Sequence, residues 1–302
     1  MIAVVGSANV DHVLHVTRLP AWGETLAADR LEIHEGGKGA NQAVAAARLG
    51  EDVAFFGAVG QDRDGDHIME CLQENAVDTG RVLRASVPTG RAIIWVDPAG
   101  ENAITIVPGA NANVDAAYVD SILGQLLEAD IILLQLEIPL PTISHLLALL
   151  PAKGPRVLVD PAPAAPFAQA PFRMNRVDIL TPNVGELLQL SGQSDVRLGA
   201  EWILNQSVDQ VIVTRGAQGA SLFSGNGMIW DCPAPRIKPV DTTASGDAFS
   251  GALAASLAQG ASLKDAIQRG VHAGALSATR HGAIPSLPTR AELRAFMERE
   301  QG

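Results

Sequence analysis

Short apolar runs of strand length recur along the chain, and stretches with helical spacing separate most of them. The apolar runs occupy residues 2–5, 53–56, 131–136, 157–159, 177–180 and 211–213. Residues 114–127, 142–150 and 183–190 place apolar side chains at the three- and four-residue intervals of one helix face. A continuous apolar run is typical of a strand buried on both faces, as in a parallel sheet. The pattern therefore predicts an α/β fold with a mostly parallel central sheet flanked by helices.

Two stretches do not follow this alternation. Residues 10–33 alternate apolar and polar positions, and residues 91–107 contain two strand-like runs separated by a turn at 97–100. Both predict antiparallel strands outside the main sheet. Because a small sheet of this kind is not stable alone, we expect it to cover the main domain as a β-sheet lid formed by residues 10–35 and 90–108. Its edges offer pairing to a second subunit, so we expect a homodimer, with residues 1–302 forming a single domain.

The last third of the chain is predicted to contain a hairpin and three helices. Residues 219–224 and 228–230 flank Gly225-Asn226-Gly227, a sequence typical of a tight hairpin turn. Helical spacing then covers residues 246–259, 263–279 and 289–299. These helices complete the layers of the predicted α/β domain.

The composition is that of a globular enzyme without a general affinity for nucleic acid. The 302 residues are 47% hydrophobic and carry a formal net charge of −11. Nucleic-acid binding requires clustered Lys and Arg, so we expect any anionic ligand to be bound at a local site. The two cysteines, Cys71 and Cys232, form no metal-binding pattern, and no apolar run is long enough to span a membrane. Because no basic segment precedes the N-terminal apolar run, we expect no signal peptide and a cytoplasmic protein.

Residues 241–249, with the sequence Asp-Thr-Thr-Ala-Ser-Gly-Asp-Ala-Phe, carry the strongest chemical signal and lead into an Ala-rich helix. Small residues such as Ala244, Ser245 and Gly246 allow backbone N–H groups to converge at a helix N-terminus, where the dipole favours an anion. Asp247 in the same turn is placed to accept the proton of an attacking hydroxyl, as phosphoryl transfer requires. The alternative is that Asp247 only complements the helix dipole and Gly246 only permits a tight turn.

A second glycine-rich segment, Gly36-Gly37-Lys38-Gly39-Ala40-Asn41-Gln42, opens another Ala-rich helix, expected over residues 43–49. Its glycines let the backbone approach a ligand closely, and Asn41 offers a donor and an acceptor to neighbouring hydroxyls. The spacing is not that of a Walker A loop. Residues 5–9 lack the dinucleotide fingerprint, which disfavours a nucleotide-binding oxidoreductase. The alternative is a glycine-rich turn with Lys38 in solvent.

These two segments, in this order, resemble the two signatures of the ribokinase family within the B-type phosphofructokinase superfamily. The resemblance extends over essentially the whole chain, through Asn9-Val10-Asp11, Gln135-Leu136-Glu137, Thr181-Pro182-Asn183-Val184-Gly185-Glu186, Thr214-Arg215-Gly216 and Thr279-Arg280-His281-Gly282-Ala283. Residues 37–42 and Pro108-Gly109-Ala110-Asn111 are more similar to ribokinases than to fructokinases or adenosine kinases. The resemblance implies a ribokinase-like fold and an ATP-dependent kinase that phosphorylates a primary hydroxyl of a pentose, D-ribose in the first place, under a closing lid.

The resemblance also implies roles for individual residues. Asp247 would be the catalytic base, beside an anion hole formed by Ala244, Ser245 and Gly246. The sugar would be held by Asn9, Asp11, Gly37, Lys38, Gly39, Asn41, Glu137 and Asp247. The nucleotide would be contacted by Asn183, Thr214, Gly216, Gly219, Gly246 and His272. Taken singly, Asp11 and Glu137 are also compatible with ordinary turn or surface positions, but they follow predicted strands, where open α/β sheets bind ligands.

Two cations are implied in the same way. Asn183 and Glu186 resemble the family's Asn-x-x-Glu motif, which organises Mg²⁺ near the phosphates, with Asp160 as a further contributor. The alternative is an N-cap Asn followed by an acidic first helical turn. For K⁺, the resemblance implies a site formed by Asp241, Thr243, Ser277, Arg280, Gly282 and Ser286. The alternative there is that Asp241 caps the turn and Arg280 pairs with it directly, which would make an ion unnecessary.

The chain departs from the family pattern at two places. Ala244 and Ser245 stand where Gly and Ala are common. Val271 stands, beside His272, where the family often has an Asn or His that contacts the nucleotide. The adenine contacts are therefore left open.

Rival functions follow from the same residues. The pocket does not exclude a kinase of the same fold acting on deoxyribose, a nucleoside or a hexose. A sugar-binding regulator without turnover is the rival from a different class, and retention of Asp247, Gly246, Asn183 and Glu186 is evidence against it.

Overall fold

A computed structural model describes residues 1–165, 167, 172–225 and 227–300 of the protein. Its strands are β1 (Ile2–Val5), β2 (Asn9–His15), β3 (Arg30–Gly36), β4 (Val53–Phe56), β5 (Ala58–Gly60), β6 (Val77–Asp78), β7 (Leu83–Ala85), β8 (Gly90–Val96), β9 (Asn102–Val107), β10 (Ile131–Gln135), β11 (Arg156–Asp160), β12 (Ile179–Leu180), β13 (Gln210–Thr214), β14 (Ala220–Ser224) and β15 (Gly227–Cys232). Its α-helices are α1 (Lys38–Arg48), α2 (Arg63–Glu74), α3 (Ala116–Leu127), α4 (Leu140–Leu149), α5 (Val184–Ser191), α6 (Val196–Leu204), α7 (Ser245–Ala258), α8 (Leu263–Ser277) and α9 (Arg290–Glu300).

A nine-stranded sheet forms the centre of the fold, in the order β15-β14-β13-β12-β11-β10-β1-β4-β6. All neighbours from β13 to β6 are parallel, while β14 and β15 add an antiparallel edge. Strands β1, β4 and β10 are buried along their whole length. Their sequences are continuous apolar runs because both faces of a parallel sheet are covered. The predicted α/β fold with a mostly parallel sheet is confirmed.

The two faces of this sheet belong to two separate hydrophobic cores. Ile2 and Val4 of β1 pack into one core with α1 and α7, whereas Ala3 and Val5 pack into the other with α3 and α4. This division follows from the period of two along a strand, which sends successive side chains to opposite faces.

Helices α1 and α7 lie side by side against one face of the sheet. Their contact is close because Gly251 has no side chain, and a Cβ there would lie 2.5 Å from the Cβ of Ala45. The N-terminal turns of both helices therefore reach the same edge of the sheet. It is the edge at which the parallel strands have their carboxyl ends.

A small sheet of four strands, in the order β3-β2-β8-β9, stands outside the main sheet. Within each hairpin the strands are antiparallel, as predicted, β2 with β3 and β8 with β9. Between the hairpins β2 and β8 pair in parallel, an arrangement on which the sequence pattern made no prediction. Each is the first strand of its hairpin, so both leave the main domain in the same direction.

The sequence pattern missed several elements. Helices α2 and α6 were not predicted, nor were the short strands β5, β6 and β7. The hairpin of β14 and β15 is present, although Asn226 of its predicted turn lies outside the described residues. Among the helices in the described ranges, none is long and apolar enough to cross a membrane.

Candidate active site

A cavity of about 200 Å³ lies at the carboxyl ends of β11 and β13, next to the first turns of α5 and α7. Ligands of open parallel sheets bind at this edge. The cavity is lined by Lys38, Asp160, Thr181, Asn183, Glu186, Thr214, Thr242, Ala244, Gly246, Asp247, Phe249 and Ser250. The fold therefore brings the two glycine-containing segments, which are distant in sequence, to one site.

Asp247 lies in the first turn of α7 and is buried, with 4% of its surface exposed. Each of its carboxylate oxygens accepts a hydrogen bond from an amide on α1. The Nδ2 of Asn41 donates to Oδ2 over 2.9 Å, and the Nε2 of Gln42 donates to Oδ1 over 2.9 Å. Asn41 Oδ1 is buried and has no partner among the described residues. The carboxylate is thus oriented by neutral donors, and an acceptor beside it is available to a ligand hydroxyl.

The first turn of α7 has the properties of an anion hole. Ala244, at the helix N-cap, has φ 58° and ψ 9°, a left-handed conformation that favours glycine, and its side chain makes no capping bond. This conformation explains why the family often has glycine at this position. Within the described part of the chain, the N–H groups of Gly246 and Asp247 have no acceptor. Such orphan donors at a helix N-terminus bind anions.

Asp11 and Glu137 face Asp247 from the expected sugar side. Asp11 on β2 fits because Gly36 has no side chain, since a Cβ there would lie 2.2 Å from Asp11 Oδ2. Glu137 Oε2 accepts hydrogen bonds from the hydroxyl of Ser7 at 2.5 Å and the N–H of Lys38 at 3.1 Å. Burial, helped by the charges of Glu137 and Asp247, raises the pKa of Asp11 to about 7.

Lys38 is half-buried between the two ends of the site, so the alternative that it lies in solvent is wrong. Burial alone would lower the pKa of its ammonium group. The carboxylates of Asp160, Asp247, Glu137 and Glu186 outweigh that effect and raise the pKa above its usual value. Lys38 is therefore a permanent positive charge among carboxylates.

Asn9 and the glycines around it stand where the small sheet joins the main domain. The Nδ2 of Asn111 donates to Asn9 Oδ1 over 2.8 Å, and Asn111 Oδ1 accepts the N–H of Ala8 at 3.0 Å. Gly37 has φ 89°, and a Cβ there would lie 2.7 Å from the backbone nitrogen of Asn9. At Gly39, a Cβ would lie 2.7 Å from the backbone nitrogen of Ser7. The glycines of this segment are needed for close backbone contact.

Asn183 and Glu186 line the cavity. They also form the helix cap that the sequence offered as the alternative to a Mg²⁺ site. The Asn183 side chain accepts the N–H of Glu186, and the Glu186 side chain accepts the N–H of Asn183 at 2.8 Å, a capping box. Thr214 lies beside them in the cavity wall. Glu186 therefore contributes charge to the cavity while one of its oxygens is held by the cap.

Three residues expected to contact the nucleotide are not among those that line the cavity. Gly216 and Gly219 flank a short 3-10 helix after β13, where a Cβ at Gly219 would lie 1.9 Å from the carbonyl oxygen of Cys232. His272 is buried on α8, bonded through Nδ1 to the carbonyl of Gln268 and in contact with the ring of Phe296. Close packing thus explains the glycine at position 219, and His272 packs against Phe296 of α9.

The residues of the expected K⁺ site meet beside the first turn of α7. Asp241 accepts the N–H groups of Thr243 and Gly282, each at 2.9 Å, and the hydroxyls of Ser277 and Ser286 are 2.7 Å apart. Burial would raise the pKa of Asp241, but hydrogen bonds from Thr243 and Gly282 and the nearby His281 lower it. Arg280 pairs with Glu292 at 2.7 Å. Of that alternative, the cap is present, because Asp241 accepts the N–H of Thr243, but the direct pair between Arg280 and Asp241 is wrong.

Sequence reasoning missed several residues of this site. Thr181, Thr242, Phe249 and Ser250 line the cavity, and Gln42 and Ser7 position its carboxylates. Most stand within or next to the quoted motifs, so adjacency was the available signal. Ser7 had no signal beyond its place after the first strand.

The chain is similar to known proteins over nearly its whole length. Residues 1–290 match the model of the pfkB family carbohydrate kinases. The chain is 36% identical over 304 residues to a ribokinase of Haemophilus influenzae, with 98% of each chain covered. A crystal structure of ribokinase from Thermotoga maritima superposes with a TM-score of 0.90 at 39% identity, covering 99% of both chains. Arabidopsis thaliana ribokinase complexed with ribose and ATP superposes with a TM-score of 0.89 at 32% identity, covering 98% of both.

Proposed function

The chain belongs to the pfkB family of carbohydrate kinases, and from this premise we propose that it transfers the γ-phosphoryl group of ATP to the primary hydroxyl of D-ribose. One observation carries the proposal. The buried carboxylate of Asp247 lies between polar side chains that suit a polyol and the N–H groups of Gly246 and Asp247, which have no acceptor among the described residues. A base next to an anion hole is the arrangement that phosphoryl transfer to a hydroxyl needs.

The sugar side supports a polyol as the acceptor substrate. Asp11 and Glu137 are carboxylates, which accept hydrogen bonds from hydroxyl groups, and Asn41 Oδ1 lacks a partner among the described residues. Lys38 balances part of their negative charge, and the carboxylates accept hydrogen bonds from the hydroxyl groups of a neutral ligand. Asp247 takes the proton of the attacking hydroxyl.

The nucleotide side supports a phosphate ligand accompanied by Mg²⁺. Thr181, Thr214 and Thr242 line the cavity with hydroxyl groups near the orphan N–H donors of α7. Glu186, Asn183 and Asp160 supply the oxygen atoms that Mg²⁺ prefers, and they would hold the ion and its waters. The ion would neutralise charge on the phosphates, while Gly246 and Asp247 bind the transferring group through their N–H groups.

A monovalent cation is the third component of the proposal. Asp241, Ser277, Ser286 and nearby carbonyl groups surround the loop that supports the first turn of α7. Oxygen ligands with one carboxylate suit K⁺, whose charge would hold residues 241–247 in shape before phosphoryl charge develops.

We also propose that the protein is a homodimer whose small sheets pair and act as lids. The outer strands β3 and β9 carry large apolar side chains that are 38–56% exposed, namely Leu31, Ile33, Ile104, Ile106 and Val107. Exposed apolar groups on unpaired edge strands favour association with a second copy. Sedimentation of the purified protein measures the assembly.

A substrate panel tests the proposed function. Purified protein with ATP and Mg²⁺ is offered ribose, deoxyribose, hexoses and nucleosides, and ADP release is measured for each. We expect the highest kcat/KM with ribose. Preference for deoxyribose or a nucleoside would change the proposed substrate and leave the proposed kinase activity standing. Sugar binding without ADP release would support the rival function, a sugar-binding regulator.

A further inference from the structure

Gln42 joins two buried carboxylates that belong to different parts of the site. Its Nε2 donates to Asp247 Oδ1 over 2.9 Å and to Asp160 Oδ2 over 2.8 Å. The glutamine itself has no exposed surface. A primary amide has two N–H donors, so this one nitrogen satisfies one oxygen of each carboxylate.

The orientation of the Gln42 amide is set by a third residue. The Nε2 of Gln135 donates to Gln42 Oε1 over 2.6 Å. Gln135 ends β10 in register with Asp160 at the end of β11. The residue that orients the Gln42 amide and one of the carboxylates that the amide binds are therefore neighbours in the sheet. Gly6 makes room, since a Cβ there would lie 2.0 Å from Gln135 Oε1. If the Gln42 amide were turned over, its oxygen instead of its nitrogen would face the carboxylates of Asp160 and Asp247, and acceptors would meet acceptors.

The consequence for Asp247 is that both carboxylate oxygens are restrained. Gln42 holds Oδ1 and Asn41 holds Oδ2, and both donors come from the rigid first turns of α1. Rotation of the carboxylate would break two buried hydrogen bonds, each of which is costly to leave unmade. The remaining lone pairs of the carboxylate are therefore held in fixed directions.

On the basis of the proposed function, we propose that Gln42 is a positioning residue, which aims the Asp247 carboxylate at the acceptor hydroxyl and couples it to Asp160 at the nucleotide end. Gln42 is buried behind the two carboxylates. It acts through Asp247, so its effect is on the geometry of proton abstraction. Misplacement of a reacting group by about 1 Å costs on the order of 10²-fold in rate.

The variant Gln42→Met removes the amide while keeping a side chain of similar length. We expect kcat to fall about 10- to 100-fold, with KM for sugar and ATP within about threefold, because alignment matters in the transition state. Gln135→Met removes only the anchor and is expected to lower kcat less, in the same direction. The control Gln206→Met changes a half-buried glutamine of a distant loop and should leave kcat unchanged.

A double-mutant cycle with Asp247→Asn separates positioning from a structural role. If Gln42 acts through Asp247, the change to Met has little further effect on the residual turnover of Asp247→Asn. An equal loss in both backgrounds, or a kcat of Gln42→Met above half that of the wild type, would overturn the proposal. If Gln42→Met does not fold, the cycle with Gln135→Met decides by the same criteria. Absence of turnover in the wild type would instead overturn the proposed function, and this assignment with it.

Discussion

The two ends of the site differ in how much of their structure exists before a ligand binds. At the sugar end, Asp247, Asn41 and Gln42 are buried and joined by side-chain hydrogen bonds. At the nucleotide end, Thr242 and Gly246 are exposed, and the N–H of Gly246 has no acceptor among the described residues. The proposed base is therefore held in place in advance, whereas the proposed phosphate site is a set of N–H donors that lack acceptors among the described residues. A base must have its geometry before the reaction, while an anion can itself supply the acceptors that these N–H groups lack.

The largest expected effect comes from removing the base at the preorganised end. Asp247→Asn keeps the shape of the side chain but not its proton affinity, so kcat is expected to fall at least about 10²-fold. Sugar and ATP affinities should stay within a few-fold, since a base acts mainly in the transition state. Steady-state kinetics and calorimetry measure both, with the exposed Asp209→Asn as control. A variant that keeps more than a tenth of wild-type kcat would show that Asp247 is not the base.

A second change sharpens the division between the two ends. Asp11→Ala removes an acceptor on the sugar side, and loss of a hydrogen bond to a charged group costs about 1.5–3 kcal/mol. Sugar affinity should therefore fall on the order of 10- to 100-fold, with little change in ATP affinity. Gly36→Ala should act in the same direction, because its Cβ would displace the Asp11 carboxylate, whereas Gly124→Ala meets open space and serves as control. Equal weakening of sugar and ATP in calorimetry would mean that Asp11 is structural or that the lid couples the two sites.

The cation prediction concerns the end that is less organised. K⁺ should raise turnover several-fold over Na⁺ or a bulky organic cation at constant ionic strength and saturating Mg²⁺-ATP, because it would order the turn that carries the phosphate donors. Asp241→Ala should remove most of this difference. Equal rates in the three salts, with Asp241→Ala only slightly impaired, would exclude a role for the ion.

The smallest expected effect is on the stability of the folded protein. It measures how much the burial of the Asp11 carboxylate destabilises the fold. The pKa of Asp11 is about 7 in the folded protein against an ordinary 3.8, so the folded state binds this proton more tightly than the unfolded state. The stabilising contribution of the protonated group is complete below pH 3.8 and is lost as the pH rises to about 7. Asp11→Asn, which stays neutral, should therefore melt a few degrees higher than the wild type at pH 8. The difference should narrow through pH 7 and close near pH 4. A constant difference at all pH values in ligand-free thermal melts would contradict the shift.

Much of the main sheet was predictable because its chemistry is local. Continuous apolar runs identified β1, β4 and β10, since a strand covered on both faces has few polar positions. Helices α2 and α6 were missed, although Asp62 and Asp195 cap them and gave a local signal. Strand β6 has only two residues, too few to show a period. The parallel pairing of β2 with β8 has no local signal, because the relative direction of two hairpins depends on how the chain enters each one.

The same division applies to the site. The sequence by itself determined that an Ala-rich helix follows each of the two glycine-containing segments and that Asp247 is the candidate base, because both inferences depend on neighbouring residues. The expected start of the first helix at residue 43 is wrong, since α1 begins at Lys38, inside the segment. Only the tertiary structure decided that Gln42 faces both Asp160 and Asp247, that Arg280 pairs with Glu292, and that His272 packs on Phe296. Those partners lie far apart along the chain, and a residue's own sequence neighbours do not determine which distant carboxylate, carbonyl or ring packs against it. Long-range contacts are set when the helices pack on the sheet. A hydrogen bond forms only within a narrow range of donor–acceptor distances, so the packing decides which of these contacts exist.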